Sequence, residues 1–415
     1  MESLSDRLKS LGVQVGTANL PPVEQRAQSR PAGYSIEQVV DGTLLSTAFG
    51  ETYLIEQLYP CDHVQGHTPL SMAIDLGVLV QWGQAPHLAN LELQKFVFLD
   101  TETSGLAGGT GTFAFLVGLG YHTARGFCLQ QFFLREPGEE TALLAAIGRA
   151  LSDFGAVVTF NGKSFDIPLL TSRHILHGFT PPFKEFAHLD LLPLARRLWR
   201  NRLPSRALGD LEVEILGMER DLNEVPGWMI PQMYFDYLHS GDARPLAGVL
   251  YHNAMDIVSL AALFNHMANL LNNPLADRIP DSLDLIAIAR LYEDIGKTEN
   301  AVSLYEFSLQ QGLPEPFLLD TLMRFADLYR RRGEWPQTLR LWQTAASYQH
   351  LPAYIELAKY YEHRQRDYSQ ALHWVEDARL TVERSGMGLV ARQTYSLELE
   401  HRRQRLIAKQ ARKTC

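Results

Sequence analysis

From Phe96 onward the apolar residues come in short runs, FVFLDT, TFAFLVGLGY and FCLQQFFLRE, separated by Gly, Arg and Thr turn signals. That pattern predicts three consecutive strands. TALLAAIGRALSDF then carries a helical period, AVVTF reads as a buried strand, and SFDIPLLTSRHILHG predicts a helix started by Ser164 with Pro168 in its first turn. FAHLD predicts a further short strand and LLPLARRLWR a helix. The remainder to about Asn273 is helical, ending in the long ARPLAGVLYHNAMDIVSLAALFNHMANLL. Strands first, then strands alternating with helices, predict an α/β domain over 91–273, a mixed sheet flanked by helices.

On either side the pattern changes. Residues 1–90 contain Pro and Gln near the start, then alternating runs such as TLLSTAFGETYLIEQLYP, which predict short strands of an appended β element with no assignable chemistry. After the turn-rich DRIPDS the chain reads as helices without strands. Ala289, Tyr292, Gly296 and Ala301 recur as Ala326, Tyr329, Gly333 and Thr338, 37 residues on. A third copy shows Ala358, Tyr361 and Ala371, shifted by 32 or 33, with Tyr368 where Trp335 stood. Over 281–385 this resembles a short tetratricopeptide-type array of about three units, with small residues where paired helices approach. The unequal periods leave an unrelated helical bundle open. Residues 386–415 form a basic C-terminal helix or tail.

Composition narrows the class. With 415 residues, 46% apolar and 20% charged, the chain is of the folded globular kind, and fibrous and disordered classes are excluded. Cys61, Cys128 and Cys415 are odd in number and in no C-x-x-C pair, so a disulfide framework or thiolate zinc site is not expected and a reducing cytoplasm fits. MESLSDRLKSLGV carries acids early and lacks a signal-peptide core, and no stretch reads as the roughly 18 apolar residues of a membrane span. The expectation is a cytoplasmic protein with no membrane partner. A net charge of −9 argues against bulk electrostatic binding to nucleic acid, which needs Lys and Arg.

The chemistry-bearing signal is FVFLDTETSGL, where a buried strand ends by presenting Asp100 and Glu102. Residues two apart on a strand share a face, and two like charges stacked there are costly without a cation. VVTFNGKSFDIPLL brings a second strand into Asn161, Phe165 and Asp166, and YHNAMDIVSL puts His252 and Asp256 one helical turn apart on one face. The stripe Leu250, Ala254, Ile257, Ala261 and Phe264 faces the core, leaving His252 and Asp256 on an edge open to a cleft. Four carboxylates from two strand ends and two helices form a hard oxygen site suited to Mg²⁺ or Mn²⁺, and a neighbouring imidazole can take a proton from an attacking water.

These three segments resemble the exonuclease motifs of the DEDD superfamily on a ribonuclease-H-like fold, and more closely the YprB-type ribonuclease-H-like domains of bacteria. The resemblance covers about Phe96 to Asn273. It implies a metal-dependent nuclease acting on DNA or RNA, a 3′–5′ exonuclease using two divalent cations. Asp100 and Glu102 match the first motif, Asp166 closes the second and Asp256 belongs to the third. Asn161 and Phe165 match the N-x-x-x-F-D context of the second motif and, with Thr103, are the substrate-binding candidates. HLDLLPLARRLW, with Asp190, resembles the segment between the second and third motifs. The superfamily's base precedes the last aspartate as Tyr with three residues between or His with four; here His252 has three and Tyr251 has four. A residue four before Asp256 lies on its face and one five before is rotated away, which favours His252.

Other features carry two readings each. GLAGGTGTF lacks the G-K-[ST] ending of a phosphate loop and serves as a turn at the mouth of the site or a plain hairpin connection. Arg196, Arg197, Arg200, Arg202 and Arg206 form either a solvated helix face or a grip on backbone phosphates, with Trp199 as a stacking surface. The stretch from His401 to Cys415 holds six Lys or Arg and no acid, a nucleic-acid tether or a frayed, solvated helix. Cys61, His63 and His67 lack a fourth ligand and recognised spacing, so they read as incidental loop residues. A second reading of the whole chain makes the helical repeats the working surface, a groove for a protein partner, and the ribonuclease-H-like domain an inert or weakly active nucleic-acid-binding platform. The presence of all four carboxylates favours the nuclease.

Overall fold

The computed structural model describes residues 33–414 apart from 71–74, 86–87, 89–90, 106–110, 220–224 and 277–280. Beside a two-stranded ribbon of Val64–Gln65 with Thr68–Pro69, the strands are β1 Thr43–Thr47, β2 Gly50–Pro60, β3 Phe96–Thr103, β4 Ala114–Thr123, β5 Gly126–Phe133, β6 Ala156–Thr159 and β7 Ala187–Asp190, and these seven make the main sheet. They form one seven-stranded mixed sheet in the order β1-β2-β5-β4-β3-β6-β7. Pairing is antiparallel from β1 to β3 and parallel from β3 through β6 to β7. The sheet is mixed and flanked by helices on both faces, as the sequence predicts.

The strands expected within 1–90 are present, but they are not a separate element. β2 pairs with β5 over Tyr53↔Phe133 to Pro60↔Gly126, so this region lengthens the main sheet. Partners more than 60 residues apart in sequence cannot be read from local periodicity.

On one face lie α1 Glu140–Leu151, α2 Asp166–Leu176 and α4 Ile230–Ser240; α3 Leu191–Trp199 and most of the long α5 Leu246–Asn272 cover the other. Alternation in β3 serves both layers. Phe96 and Phe98 join the α5 side with Phe264, whereas Val97 and Leu99 join Leu143 and Ile147 of α1. The stripe Leu250, Ala254, Ile257, Ala261 and Phe264 is buried as expected. α5 is, against the sequence reading, long and apolar enough to cross a membrane, but most of it is buried against the sheet and its neighbours, as in a core helix.

α5 approaches the sheet where β4 is bare. A Cβ at Gly118 would lie 2.5 Å from Asn253 Oδ1, and one at Gly120 2.5 Å from Ile257 Cγ2. These glycines let the helix sit low over the strand that presents Asp100.

The C-terminal region is all-helical: α6 Ser282–Asp294, α7 Thr298–Gln311, α8 Glu315–Arg332, α9 Trp335–Ser347, α10 Leu351–Tyr360, α11 Tyr368–Arg384 and α12 Leu389–Thr414. The recurring Ala289, Ala301, Ala326, Thr338, Ala358 and Ala371 are all buried, where bare side chains allow paired helices to approach. Gly296 and Gly333 take positive φ after the first helix of their pairs. At the third such position Arg366 does so, at φ 54°, following a π-turn over Tyr361–Gln365.

Three readings of side chains change here. Trp199 is fully buried, so it offers no stacking surface. Of the arginine run, Arg197 pairs with Asp294, Arg202 Nε donates to Asp284 at 3.0 Å and Arg206 donates to the Leu203 and Pro204 carbonyls. Two of these arginines therefore tie the sheet domain to α6. The basic tail is an ordered helix: Arg402, Arg405 and Lys409 converge at 2.8–3.1 Å on the buried Glu362, and Arg403 pairs with Glu376.

Candidate active site

Strand β3 ends in a bulge between Glu102 and Thr103, after which Thr103 pairs with Ala114. The irregularity ends regular pairing where the acids emerge. Asp100 and Glu102 share the face covered by α5, as period-2 alternation requires. Thr101 points to the opposite layer, where its hydroxyl donates to Asp166 Oδ1 at 2.5 Å.

α2 begins at Asp166 rather than after Ser164, and Phe165 occupies the cap position without a side-chain cap. The motif is shaped instead by Asp190 at the start of α3. Its carboxylate accepts from the backbone N–H of Asn161 at 2.8 Å, Lys163 at 3.1 Å and Leu192 at 3.1 Å. Asn161 sits at φ 68°, a left-handed turn that Asn tolerates, and the chain thereby doubles back to start α2.

His252 and Asp256 lie one turn apart on α5, with His252 Nε2 3.6 Å from Asp256 Oδ2 and 4.0 Å from Glu102 Oε1. Tyr251 is half-exposed on another side of the helix, near Tyr59 of β2, whose hydroxyl is pushed up to about 12 by burial and then by that neighbour. The helical phase argument for His252 over Tyr251 thus agrees with where the two side chains stand.

Electrostatics show how closely the acids are gathered. Asp100 is held well above the usual carboxylate range, first by burial and then by the charges of Asp256 and Asp166, against a hydrogen bond from Asn253. Glu102 is raised in the same way by burial, Asp100 and Asp166. Burial also raises Asp166, with Thr101 opposing and Asp190 adding to the shift. Like charges brought together away from water hold protons that a divalent cation can replace. The set is all hard oxygen, which fits Mg²⁺ or Mn²⁺. Among the described residues no group of three or more His, Cys, Asp or Glu side chains stands positioned to hold a metal ion, and this holds for the four carboxylates as for Cys61, His63 and His67.

Asp100, Glu102, Asp166, Asp256 and His252 are therefore brought together. Thr103 donates to the Gly105 carbonyl at 3.0 Å, Asn161 uses its backbone on Asp190, and Phe165 stands 55% exposed, so these three flank the cluster. Of the glycine-rich stretch, residues 106–110 lie outside the described residues.

Two residues escape sequence reasoning. Asn253, fully buried, donates to Asp100 Oδ2 at 2.9 Å, and Gln131 of β5 donates to Asn253 Oδ1 at 2.9 Å and to the Leu250 carbonyl at 2.8 Å. Gln131 thus fixes the Asn253 amide so that its NH₂ faces Asp100. The available signals were a polar residue within the apolar arc of α5 and a glutamine inside the apolar run of β5.

Residues 97–268 match the RNase_H_2 family, described as belonging to the RNase_H superfamily. The uncharacterized protein YprB of Bacillus subtilis (strain 168) is 31% identical over 331 residues, spanning 77% of this chain and 78% of that protein. Membership of this superfamily points to a nuclease. Sheet and sequence likeness agree: the chain belongs to one family with YprB, and its residues 97–268 form a domain of the RNase H superfamily.

Proposed function

We propose that this protein is a DEDD-type 3′–5′ exonuclease that hydrolyses nucleic acid with two divalent cations, Mg²⁺ or Mn²⁺. The observation that carries the reading is the cluster of Asp100, Glu102, Asp166 and Asp256 beside an imidazole, in which burial raises three of the carboxyls and the charges of the other cluster acids add to it at Asp100 and Glu102. Those four side chains would hold the cations. When bound, such ions stabilise the attacking and leaving oxygens of an in-line displacement at phosphorus. His252 Nε2 takes the proton of the attacking water, oriented by Glu102 and Asp256 on either side of it. Asn253 and Gln131 keep Asp100 aimed into the cleft. Asn161, Phe165 and Thr103 orient the terminal nucleotide from the rim. The direction of digestion follows the motif resemblance. The C-terminal helix hairpins, read as tetratricopeptide-type repeats, present a surface for a protein partner.

The test incubates full-length protein with end-labelled single- and double-stranded DNA and RNA, in Mg²⁺, Mn²⁺ or chelator, beside Asp100→Ala and Asp256→Ala. Stepwise shortening from the 3′ end that needs metal and both aspartates is expected. Absence of degradation in every metal, or degradation unaffected by the substitutions, defeats the reading.

A further inference from the structure

Among the described residues the exposed Phe and Trp side chains are Phe49, Phe165 and Trp228, and two of these three flank the acidic cleft. Phe165 immediately precedes Asp166 and is 55% exposed. Trp228 is 72% exposed in the short 3-10 turn Gly227–Met229 that leads into α4. That turn is seated against the site: a Cβ at Gly227 would lie 3.9 Å from His252 Nε2, and one at Gly248 would meet Val225 Cγ2 at 2.7 Å. The bare Gly248 thus lets the segment press onto the first turns of α5, and Trp228, the residue after the one seated against the candidate base, leaves its indole in solvent.

We infer that Trp228 is a specificity-determining residue that stacks on an unpaired base at the end of a single-stranded nucleic acid, with Phe165 on the other flank of the cleft. This rests on the nuclease reading above and names its substrate class. An indole left in water forgoes the free energy of burying its apolar surface, and at the mouth of a phosphodiester site a base is the flat apolar partner at hand. The charge balance leads to the same place. An acidic cleft in a chain of net charge −9 gives a strand little long-range attraction, so affinity for the end has to come from contacts that do not depend on charge. Stacking is such a contact and tolerates any base, because each has a π-face. In a duplex the bases are already stacked and paired, so an end must first be opened before it can use the platform.

The experiment separates binding from cutting. In full-length protein carrying Asp100→Asn, with Mn²⁺ present, the intrinsic tryptophan fluorescence is titrated with a short single-stranded oligonucleotide and with the blunt duplex of the same sequence. Trp228→Ala and Trp228→Phe are made in that background, with melting temperatures checked. The single strand is expected to quench the emission and bind more tightly than the duplex, with affinity falling at least about tenfold in Trp228→Ala and largely restored in Trp228→Phe. In otherwise wild-type protein, Trp228→Ala should raise KM for the single strand far more than it lowers kcat. Single-strand affinity within twofold of the parent in Trp228→Ala, or equal affinity for duplex and single strand, overturns the inference. Trp228-dependent binding without hydrolysis by the wild type would instead defeat the nuclease reading and leave the stacking site standing.

Discussion

Two of the places where this molecule withdraws carboxylates from water treat them in opposite ways. Glu362, beneath α12, meets Arg402, Arg405 and Lys409, and these hydrogen bonds overcome the cost of burial to hold its pKa down at about 2. Asp100 and Glu102 are half-buried, and there loss of water together with the charges of other carboxylates raises both. The first arrangement is complete in itself and holds a helix in place. The second is unfavourable until something positive arrives, and such sites concentrate where chemistry is done.

Activity should separate the two regions most. Asp100→Asn should reduce hydrolysis by more than the 10–100-fold typical of losing an outer-shell partner, and His252→Phe by about 10²-fold or more, measured as single-turnover rates. Tyr251→Phe should stay within about twofold of the parent, because its side chain stands away from Asp256. A larger loss at Tyr251 than at His252 would reassign the base.

Next comes stability. Glu362→Gln takes away the counter-charge shared by three cations, of which Arg402 keeps only the more distant Glu398. Because Arg405 and Lys409 are more than a third exposed, the expected loss is about 2 kcal/mol rather than the 3–5 of a fully buried pair, read from urea unfolding. Gly118→Ala should cost about 1–3 kcal/mol and also lower activity, since its Cβ would displace the Asn253 amide that holds Asp100.

Acid should divide the two regions. The folded pKa of Glu362 lies below its ordinary value of 4.5, so its contribution is present above that value and fades as pH falls toward about 2. The cleft carboxyls are shifted upward, so the metal-free protein gains from them at low pH and loses that gain as pH rises through their raised values. Hydrogen exchange in chelator should therefore show α12 loosening on acidification from pH 5 to 3 while β3 stays protected. Simultaneous loosening of both would blur the distinction. A smaller loss than at the acids themselves is expected from Gln131→Leu, about tenfold in metal affinity, through the freed Asn253 amide.

Much of this was legible in the sequence because it is local. Alternation in FVFLDTET sets the shared face of Asp100 and Glu102, and helical phase sets His252 beside Asp256. What escaped is non-local. The pairing of β2 with β5 joins Tyr53 to Phe133 across the whole candidate motif, so the N-terminal strands looked separate. Trp199 and the arginines around it read as a surface until α6 covered them with Asp284 and Asp294. The basic tail read as solvated because its counter-charge, Glu362, lies 40 to 47 residues earlier. Asn253 looked like one polar residue in an apolar helix, and only the bare Gly118 opposite explains how it reaches Asp100.

The central claim is that the cleft carboxylates are held together for divalent cations. The most direct measurement is the melting temperature of wild type and Asp100→Asn, each in chelator and in Mn²⁺. Removing one of the crowded carboxyls should raise the melting temperature of Asp100→Asn above wild type in chelator, while Mn²⁺ should stabilise wild type and have little effect on the variant. A wild type indifferent to Mn²⁺, or a variant that is destabilised in chelator and responds to the metal as fully as wild type, would contradict the account.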